Sequence, residues 1–303
     1  MALNLFLVSI FVFAMLRVVP GDAAVAILGE TSRTDQQEKF REEYGLNKSP
    51  LKQYVDWTSG VLTGDFGRSL RSGKNVTTDF FDRLPITLEI VVLSFITTTV
   101  IGITFGIWSA LRQNSATDMW VRIFATMAIA LPSFVLLTLL LIIPARLWSY
   151  APPFGATDPF ANPVENLRLF VPPTLLLALG SAAILLRYTR SGFLEVLRQD
   201  YIRTARSKGL SERDVTLRHA LRNALPPVMT LAGLQLGGLL GGSVILERVM
   251  SLPGLGSWLL QAVEFKDYPV VMIVAMYTAL TIMTINLVID IAYGMIDPRI
   301  RVS

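Results

Sequence analysis

Apolar residues gather along this chain into six long runs, at approximately Ala2–Val19, Leu84–Leu111, Met119–Leu147, Leu169–Arg187, Leu225–Leu246 and Pro269–Met295. Crossing a hydrocarbon core takes about 20 helical residues, and each run reaches or nears that length, the first being the shortest. The pattern predicts an all-α integral membrane protein with six transmembrane helices. Two polar stretches interrupt it. The first, roughly Gly21–Arg83, is too long for a turn and carries helix punctuation. Thr34 with Gln37 reads as a start, Gly45 as a stop, Ser49-Pro50 as a second start and Asn75 as a third. It is expected to form a small helical cap. On these boundaries the chain divides into a first span (1–20), a cap (21–83) and a membrane domain (84–303).

The second polar stretch, residues 190–224, is strongly charged. Phe193, Leu194, Leu197, Tyr201, Ile202 and Ala205 recur at helical spacing behind Ser191, which is placed to cap them. Gly209 stands where a helix would end in a left-handed turn. Ser211 with Asp214 has the form of a capping box, opening a second helix with Leu217, Leu221 and Leu225 on one face. Two amphipathic helices set between apolar spans need a partner for their apolar stripe.

Charge then orients the chain. Between Ser191 and Ala224 stand Arg198, Arg203, Arg206, Lys208, Arg213, Arg218 and Arg222 against four acids, and the turn at Arg112 and the tail with Arg299 and Arg301 are also basic. The connections Tyr150–Arg168 and Met250–Tyr268 hold one basic residue each. Positively charged short loops stay in the cytoplasm, which puts residues 190–224 and both termini inside and the cap outside. Leu3 to Leu16 followed by Ala24-Val25-Ala26 also has the outline of a secretory signal. It has no basic segment ahead of the apolar run, so a retained first helix is expected.

Composition removes several classes of function. The chain is 52% hydrophobic with a net charge of +4, it has no cysteine, and its one histidine is His219. Disulfides, thiolate sites and a histidine-built zinc centre are therefore excluded. No nucleic-acid-reading motif occurs. An intramembrane enzyme would need paired carboxylates, a Ser–His or Ser–Lys dyad or a metal cluster within the spans. His219 lies in the loop, no lysine lies within a span, and Asp290 has no second carboxylate in its own helix. An ion-coupled carrier working alone is the alternative transporter, but such carriers place ionisable groups near the bilayer midplane, and the middles of these spans are almost free of them. No Gly-x-x-x-x-Gly-Lys-Ser/Thr phosphate loop occurs either: Gly73-Lys74 has Arg68 where the first glycine belongs and Asn75 where a hydroxyl is required. Energy for transport would have to come from a separate protein.

The string Arg203-Thr204-Ala205-Arg206-Ser207-Lys208-Gly209-Leu210 resembles the cytoplasmic coupling loop of ATP-binding-cassette importer permeases, in the form found in the dipeptide/oligopeptide/nickel branch. The general family pattern is Glu-Ala-Ala, three residues, then Gly. Ala205 and Gly209 match it, and Arg203 and Thr204 depart from it. Further strings are similar to the same branch: Arg41 to Leu46, Gly64 to Ser69, Arg83 to Glu89, Leu252 to Gly256, Asp267-Tyr268-Pro269, Asn286 with Asp290 and Tyr293, and Asp297 to Arg301.

That resemblance implies a type I importer permease with a helical extracytoplasmic insertion between its first two helices. It implies four kinds of surroundings: a second homologous permease, two ATPase subunits, an extracytoplasmic substrate-binding protein and a bacterial or archaeal plasma membrane. Short peptides or nickel chelates are the implied solutes. ATP and Mg would be used by the ATPase subunits, with no cofactor on this chain. The implied ATPase-coupling residues are Asp200, Tyr201, Arg203, Thr204, Ala205, Arg206, Lys208 and Gly209. Glu89, Thr230, Gln235, Gly238 and Ser243 are candidates to line the pathway. The glycines at 233, 237, 238, 241 and 242 are expected to pack helices closely or to border that pathway. Asn286 and Asp290, four apart on one face, are expected to brace helices, reaching towards Arg187.

Overall fold

The computed structural model describes residues 1–149 and 159–296. Thirteen α-helices account for most of these residues. They are α1 (Ala2–Val18), α2 (Ala23–Leu28), α3 (Thr34–Glu43), α4 (Pro50–Leu62), α5 (Val76–Leu111), α6 (Ala116–Ala130), α7 (Ser133–Trp148), α8 (Pro163–Leu197), α9 (Asp200–Ser207), α10 (Glu212–Asp214), α11 (Leu221–Val249), α12 (Leu255–Glu264) and α13 (Tyr268–Ile296). A short π-helix, Val215–Ala220, joins α10 to α11. Among the described residues the only extended pairing is an isolated bridge between Arg68 and Asn75.

Four helices are long and apolar enough to cross a membrane, and a fifth span results if α6 and α7 count as one. The expectation of six is not met on these terms. The α6–α7 pair bends by 92°, at Pro132, which precedes α7 and cannot donate the hydrogen bond a continuous helix would need. The α1 helix has 17 residues and falls at the short end of spanning length. Local starts also differ from expectation. Asn75 does not open a separate helix. Its Oδ1 accepts from the amides of Thr77 (2.8 Å) and Thr78 (3.3 Å), capping the 36-residue α5, which runs on through the second apolar run. Thr34 is the first residue of α3 and not its cap. Ser49-Pro50 does open α4, and Gly45, at φ +65°, follows the end of α3.

The chain forms two compact units. The first comprises Met1–Leu88 and Ser251–Met283. Its core joins Val76 and Phe80 of α5 to Leu255, Trp258 and Ala262 of α12 and to Val270, Val271, Ile273 and Val274 of α13. Two distant strings meet here. Asp267 is 2% exposed, and its carboxylate accepts from the Ser69 hydroxyl (2.5 Å) and the Leu70 (3.0 Å) and Arg71 (3.4 Å) amides. Thus Asp267-Tyr268-Pro269 opens α13 and holds the turn that follows Gly64–Ser69.

The second unit comprises Glu89–Met250 and Thr284–Ser303, and α8 is its hub. On α5, Ser94, Thr98, Gly102, Gly106 and Ala110 recur every four residues and so share one face. A Cβ on Gly102 would lie 2.8 Å from the Leu185 Cβ, and one on Gly106 would lie 2.6 Å from the Thr189 Cβ and 2.9 Å from the Leu186 carbonyl oxygen. The Ser94 and Thr98 hydroxyls donate to the Thr174 and Ala178 carbonyls of α8, at 3.4 and 3.5 Å. Val92, Ile96 and Val100, on the other side of α5, are each at least half exposed. Small and hydroxylated residues inward with branched apolar residues outward is the pattern expected of a helix solvated by lipid. The α6 helix packs on α8 through Ala125, Ala128, Ala183 and Leu186. On α11, a Cβ on Gly242 would lie 2.6 Å from Leu177 Cδ1 and one on Gly233 would overlap Ile289, whereas Gly237, Gly238 and Gly241 border open space.

An ion pair ties these helices at one end. Arg190 of α8 donates from Nε to Asp118 Oδ1 and from a terminal nitrogen to Oδ2, both at 2.8 Å. The same carboxylate accepts from the Ser109 hydroxyl of α5 (2.5 Å) and from the Asn114 amide in the α5–α6 turn (3.1 Å). Asp118 is 1% exposed. A buried carboxylate is tolerable when paired and fully hydrogen-bonded, and removing one partner strands the other.

Three outcomes follow. Gly106→Ala should lower stability by about 1–3 kcal/mol through overpacking, while Gly237→Ala should be neutral or mildly stabilising; thermal unfolding in detergent distinguishes them. Asp118→Leu and Arg190→Met should each cost roughly 3–5 kcal/mol, and the Asp118→Leu/Arg190→Met pair less than the sum, a cycle read by denaturant unfolding. Burial raises the Asp267 carboxyl above its ordinary pKa, with the Ser69, Leu70 and Arg71 hydrogen bonds opposing the shift. A raised folded pKa means the proton is held more tightly folded than unfolded. The contribution of this group is therefore most favourable below the unfolded value of about 3.9 and is lost as pH rises through the folded value. Asp267→Asn should flatten that part of the unfolding midpoint against pH.

Candidate functional site

The charged stretch folds differently from two helices around a glycine. Ser191 caps nothing, because α8 continues through it to Leu197 before α9 begins at Asp200. Gly209, at φ +78°, does end α9. The Leu210 amide returns to the Ala205 carbonyl and the Gly209 amide to the Arg206 carbonyl, at 3.4 and 2.9 Å, closing the last turn as a Schellman motif. The Ser211 hydroxyl accepts from the Asp214 amide (3.2 Å), the cap expected there.

Most of the apolar stripe of this segment is buried within the chain, while Tyr201 and Leu217 stay exposed. Ile202 and Ala205 of α9 join Phe193 of α8, Ala110 of α5, Val215 and Ala220 of the π-helix and Ala224 of α11 in one buried cluster. Phe193, Ile202, Val215 and Ala220 are wholly inaccessible. The partner the stripe requires is the ends of the neighbouring helices. What remains exposed is the opposite face of α9: Asp200, Tyr201, Arg203, Thr204, Arg206 and Lys208, with Gly209 and Leu210 at its end. Ala205 is thus set inward, away from the other members of its motif. Arg206 forms a two-point ion pair with Glu212 across Gly209, at 2.8 and 3.2 Å. The Arg203–Asp200 pair is longer, 3.6 Å, and both side chains are almost fully solvated, so it contributes little.

This arrangement gives α9 a specific mechanical character. Its inner face is buried on the π-helix in one cluster with the ends of α5, α8 and α11, and close-packed interiors transmit displacement with little give. Its outer face offers a tyrosine ring, cations and a helix end to whatever binds there. The Asp118–Arg190 pair lies next to its root, since Ser109 accompanies Ala110 and Arg190 precedes Phe193 by three residues. Nothing in the loop string announces that pair. A carboxylate in the first turn of an apolar helix, near an arginine closing the next long one, was the available signal.

The pathway candidates scatter. Glu89 is half-buried and hydrogen-bonded to Asn166. Gly238 lies open with Gly237 and Gly241. The Gln235 side chain donates to the Ser181 carbonyl at 3.5 Å. The Thr230 hydroxyl returns to the Pro226 carbonyl of its own helix (3.2 Å). Ser243 is buried, with its hydroxyl spent on the Leu240 carbonyl (2.8 Å), and so borders no open space. Asn286 is exposed. The Asp290 side chain and residues 297–303 lie outside the described set, as does any brace through them. Among the described residues no cluster of His, Cys, Asp or Glu could hold a metal.

The family described as binding-protein-dependent transport system inner membrane component matches residues 102–302, and its N-terminal companion matches residues 1–91. A Brucella suis biovar 1 protein described as a peptide transport system permease is 37% identical over 295 residues, covering 97% of this chain and 94% of the relative. The glutathione transport system permease protein GsiC of Escherichia coli is 37% identical over 298 residues, covering 98% and 95%. Among solved structures, an inward-facing MetNI methionine ABC transporter gives a TM-score of 0.55 at 18% identity, covering 70% of this chain and 94% of that one. An amino acid ABC transporter with histidines gives 0.52 at 17%, covering 72% and 94%. These structural likenesses establish the fold, and the sequence matches run almost end to end. With its long apolar helices and a short amphipathic helix rooted among three of them, this chain belongs to the binding-protein-dependent transport system inner membrane components, the permeases of ATP-binding-cassette importers.

Proposed function

We propose that this permease forms one side of a pathway for short peptides, in the manner of a peptide or glutathione permease, and that separate ATPase subunits drive it through α9. The observation that carries the reading is the two-sidedness of α9: buried against α5, α8 and α11 on one face and exposed through Tyr201, Arg203, Thr204, Arg206 and Lys208 on the other. A rocking motion imposed on the outer face would pass to those helices through Phe193, Ile202 and Val215. The companions in this proposal are a second homologous permease, two ATPase subunits that bind ATP and Mg, and an extracytoplasmic binding protein that delivers the solute. This chain carries no cofactor and catalyses no covalent step. Its membrane is the bacterial or archaeal inner membrane, with α9 and both termini in the cytoplasm, in line with the basic residues around Gly209.

Peptide as solute is supported by the names of the relatives at 37% identity. Open backbone at Gly237, Gly238 and Gly241 suits a conduit for varied side chains, with Gln235 and Thr230 as polar groups on the same helix and Glu89 as a candidate on α5. Asn286 and Asp290 remain a proposed brace.

Arg203→Glu with Lys208→Glu should leave the chain folded and inserted but cut substrate-stimulated ATP hydrolysis by the assembled complex about tenfold, as loss of ~1.4 kcal/mol of docking would. Gly209→Val, which forces a branched residue to positive φ, should act in the same direction. Unchanged stimulation in both variants would overturn the role of α9. Uphill peptide uptake by vesicles holding this chain alone, without nucleotide, would overturn the dependence on ATPase subunits.

A further inference from the structure

We propose that the groove between α6 and α8 binds the headgroup phosphate of an anionic glycerophospholipid, with Arg122 and Arg187 as its ligands. This inference is independent of the solute and of α9 docking. The groove has a volume of about 650 Å³ and is lined by Arg122, Ile123 and Met127 of α6 and by Arg187 and Arg190 of α8. The two helices run antiparallel, and the Asp118–Arg190 pair sets their register. Arg122 is four residues beyond Asp118 and Arg187 three residues before Arg190, so both stand about one helical turn (roughly 5–6 Å) further along, level with each other.

Among the described residues no carboxylate lies close enough to Arg122 or Arg187 to neutralise it. Both side chains are exposed, and neither forms an ion pair among the described residues. No carboxylate lines the groove itself, and Asp118 beside it has both oxygens committed to Arg190, Ser109 and Asn114. Three guanidiniums against one carboxylate leave a surplus of two positive charges. Guanidinium donors in fixed planes suit the paired oxygens of a phosphodiester.

The surroundings are those of a lipid, not of a soluble anion. Ile123 and Met127 are 41% and 57% exposed beside the arginines, and Trp120 and Phe124 continue the apolar surface of α6. A free phosphate would leave this apolar wall in water. An acyl chain would cover it while the headgroup met the arginines, which reach out from an apolar helix as long basic side chains do near a bilayer boundary.

The test is lipid retention by the purified full-length chain, and by the chain coexpressed with its companion permease, after detergent extraction from vesicles of equal phosphatidylglycerol and phosphatidylcholine, read by native mass spectrometry. Selective retention of phosphatidylglycerol is expected. It should fall roughly fivefold in Arg122→Gln or Arg187→Gln and about 25-fold in the double variant, at the usual contribution of each basic residue to anionic lipid binding. Arg33→Gln with Lys52→Gln, which removes the same charge elsewhere, should have no effect, and unfolding midpoints of every variant confirm folding. Any of four results would overturn the proposal. Equal retention of both lipids, or undiminished phosphatidylglycerol in the single variants, would remove the site. Displacement by excess inorganic phosphate or glycerophosphoglycerol would mark a soluble-anion site. Loss of the lipid on coexpression with the companion permease would assign the groove to a protein contact.

Discussion

Hydrocarbon gives no help in holding α5, α6, α7 and α11 against α8, because a lipid tail solvates a leucine as well as another leucine does. What remains is contact at close range, and it depends on removing side chains. Gly102 and Gly106 leave no room for a Cβ, and Ser94 and Thr98 reach α8 backbone carbonyls directly. Gly242 does the same for α11 against Leu177. The membrane unit is therefore organised by where bulk is missing, and its branched residues point outward to lipid.

Charge is admitted to this apolar frame sparingly, and two instances close specific joints. Asp118 is almost wholly buried, yet two guanidinium N–H groups, a hydroxyl and a backbone amide satisfy it. It joins the end of α5, the turn at Asn114, the start of α6 and the end of α8. In the first unit Asp267 plays a comparable part, tying the start of α13 to the turn at Ser69–Arg71. Beside the first joint stands the cluster in which α9 is rooted, so the exposed helix rests on the most firmly cross-linked end of the membrane helices. A lever needs such a seat if its motion is to reach α5, α8 and α11 together.

The wall of α6 next to this joint is finished differently. Asp118 answers Arg190, but Arg122 and Arg187 face the surroundings with no carboxylate partner among the described residues. An apolar helix face with unneutralised guanidiniums at its edge is matched to a bilayer in which the counter-charge resides on the lipid.

Period and composition alone marked this chain as helical and membrane-bound, because a run of about 20 apolar residues has few other stable fates. Punctuation by Ser49-Pro50, Gly45, Gly209 and Ser211 was also legible, since a proline ring, a positive φ and a capping hydroxyl act within one turn of chain. Limits appeared where a partner distant in sequence decides the outcome. Apolarity could not reveal the 92° bend between α6 and α7, and a signal for one long span hid two helices. The stripe of Ile202 and Ala205 called for a partner, but only the tertiary structure assigned it to Phe193, Ala110 and Val215. Five glycines on α11 look alike in sequence; the packing set Gly233 and Gly242 against side chains and left Gly237, Gly238 and Gly241 open. The Asp118–Arg190 and Asp267–Ser69 joins span 72 and 198 residues. Such pairings belong to the folded arrangement, because a buried carboxylate is tolerated only when hydrogen-bond donors distant in sequence converge on it and offset its loss of water, and no local pattern in the chain records that.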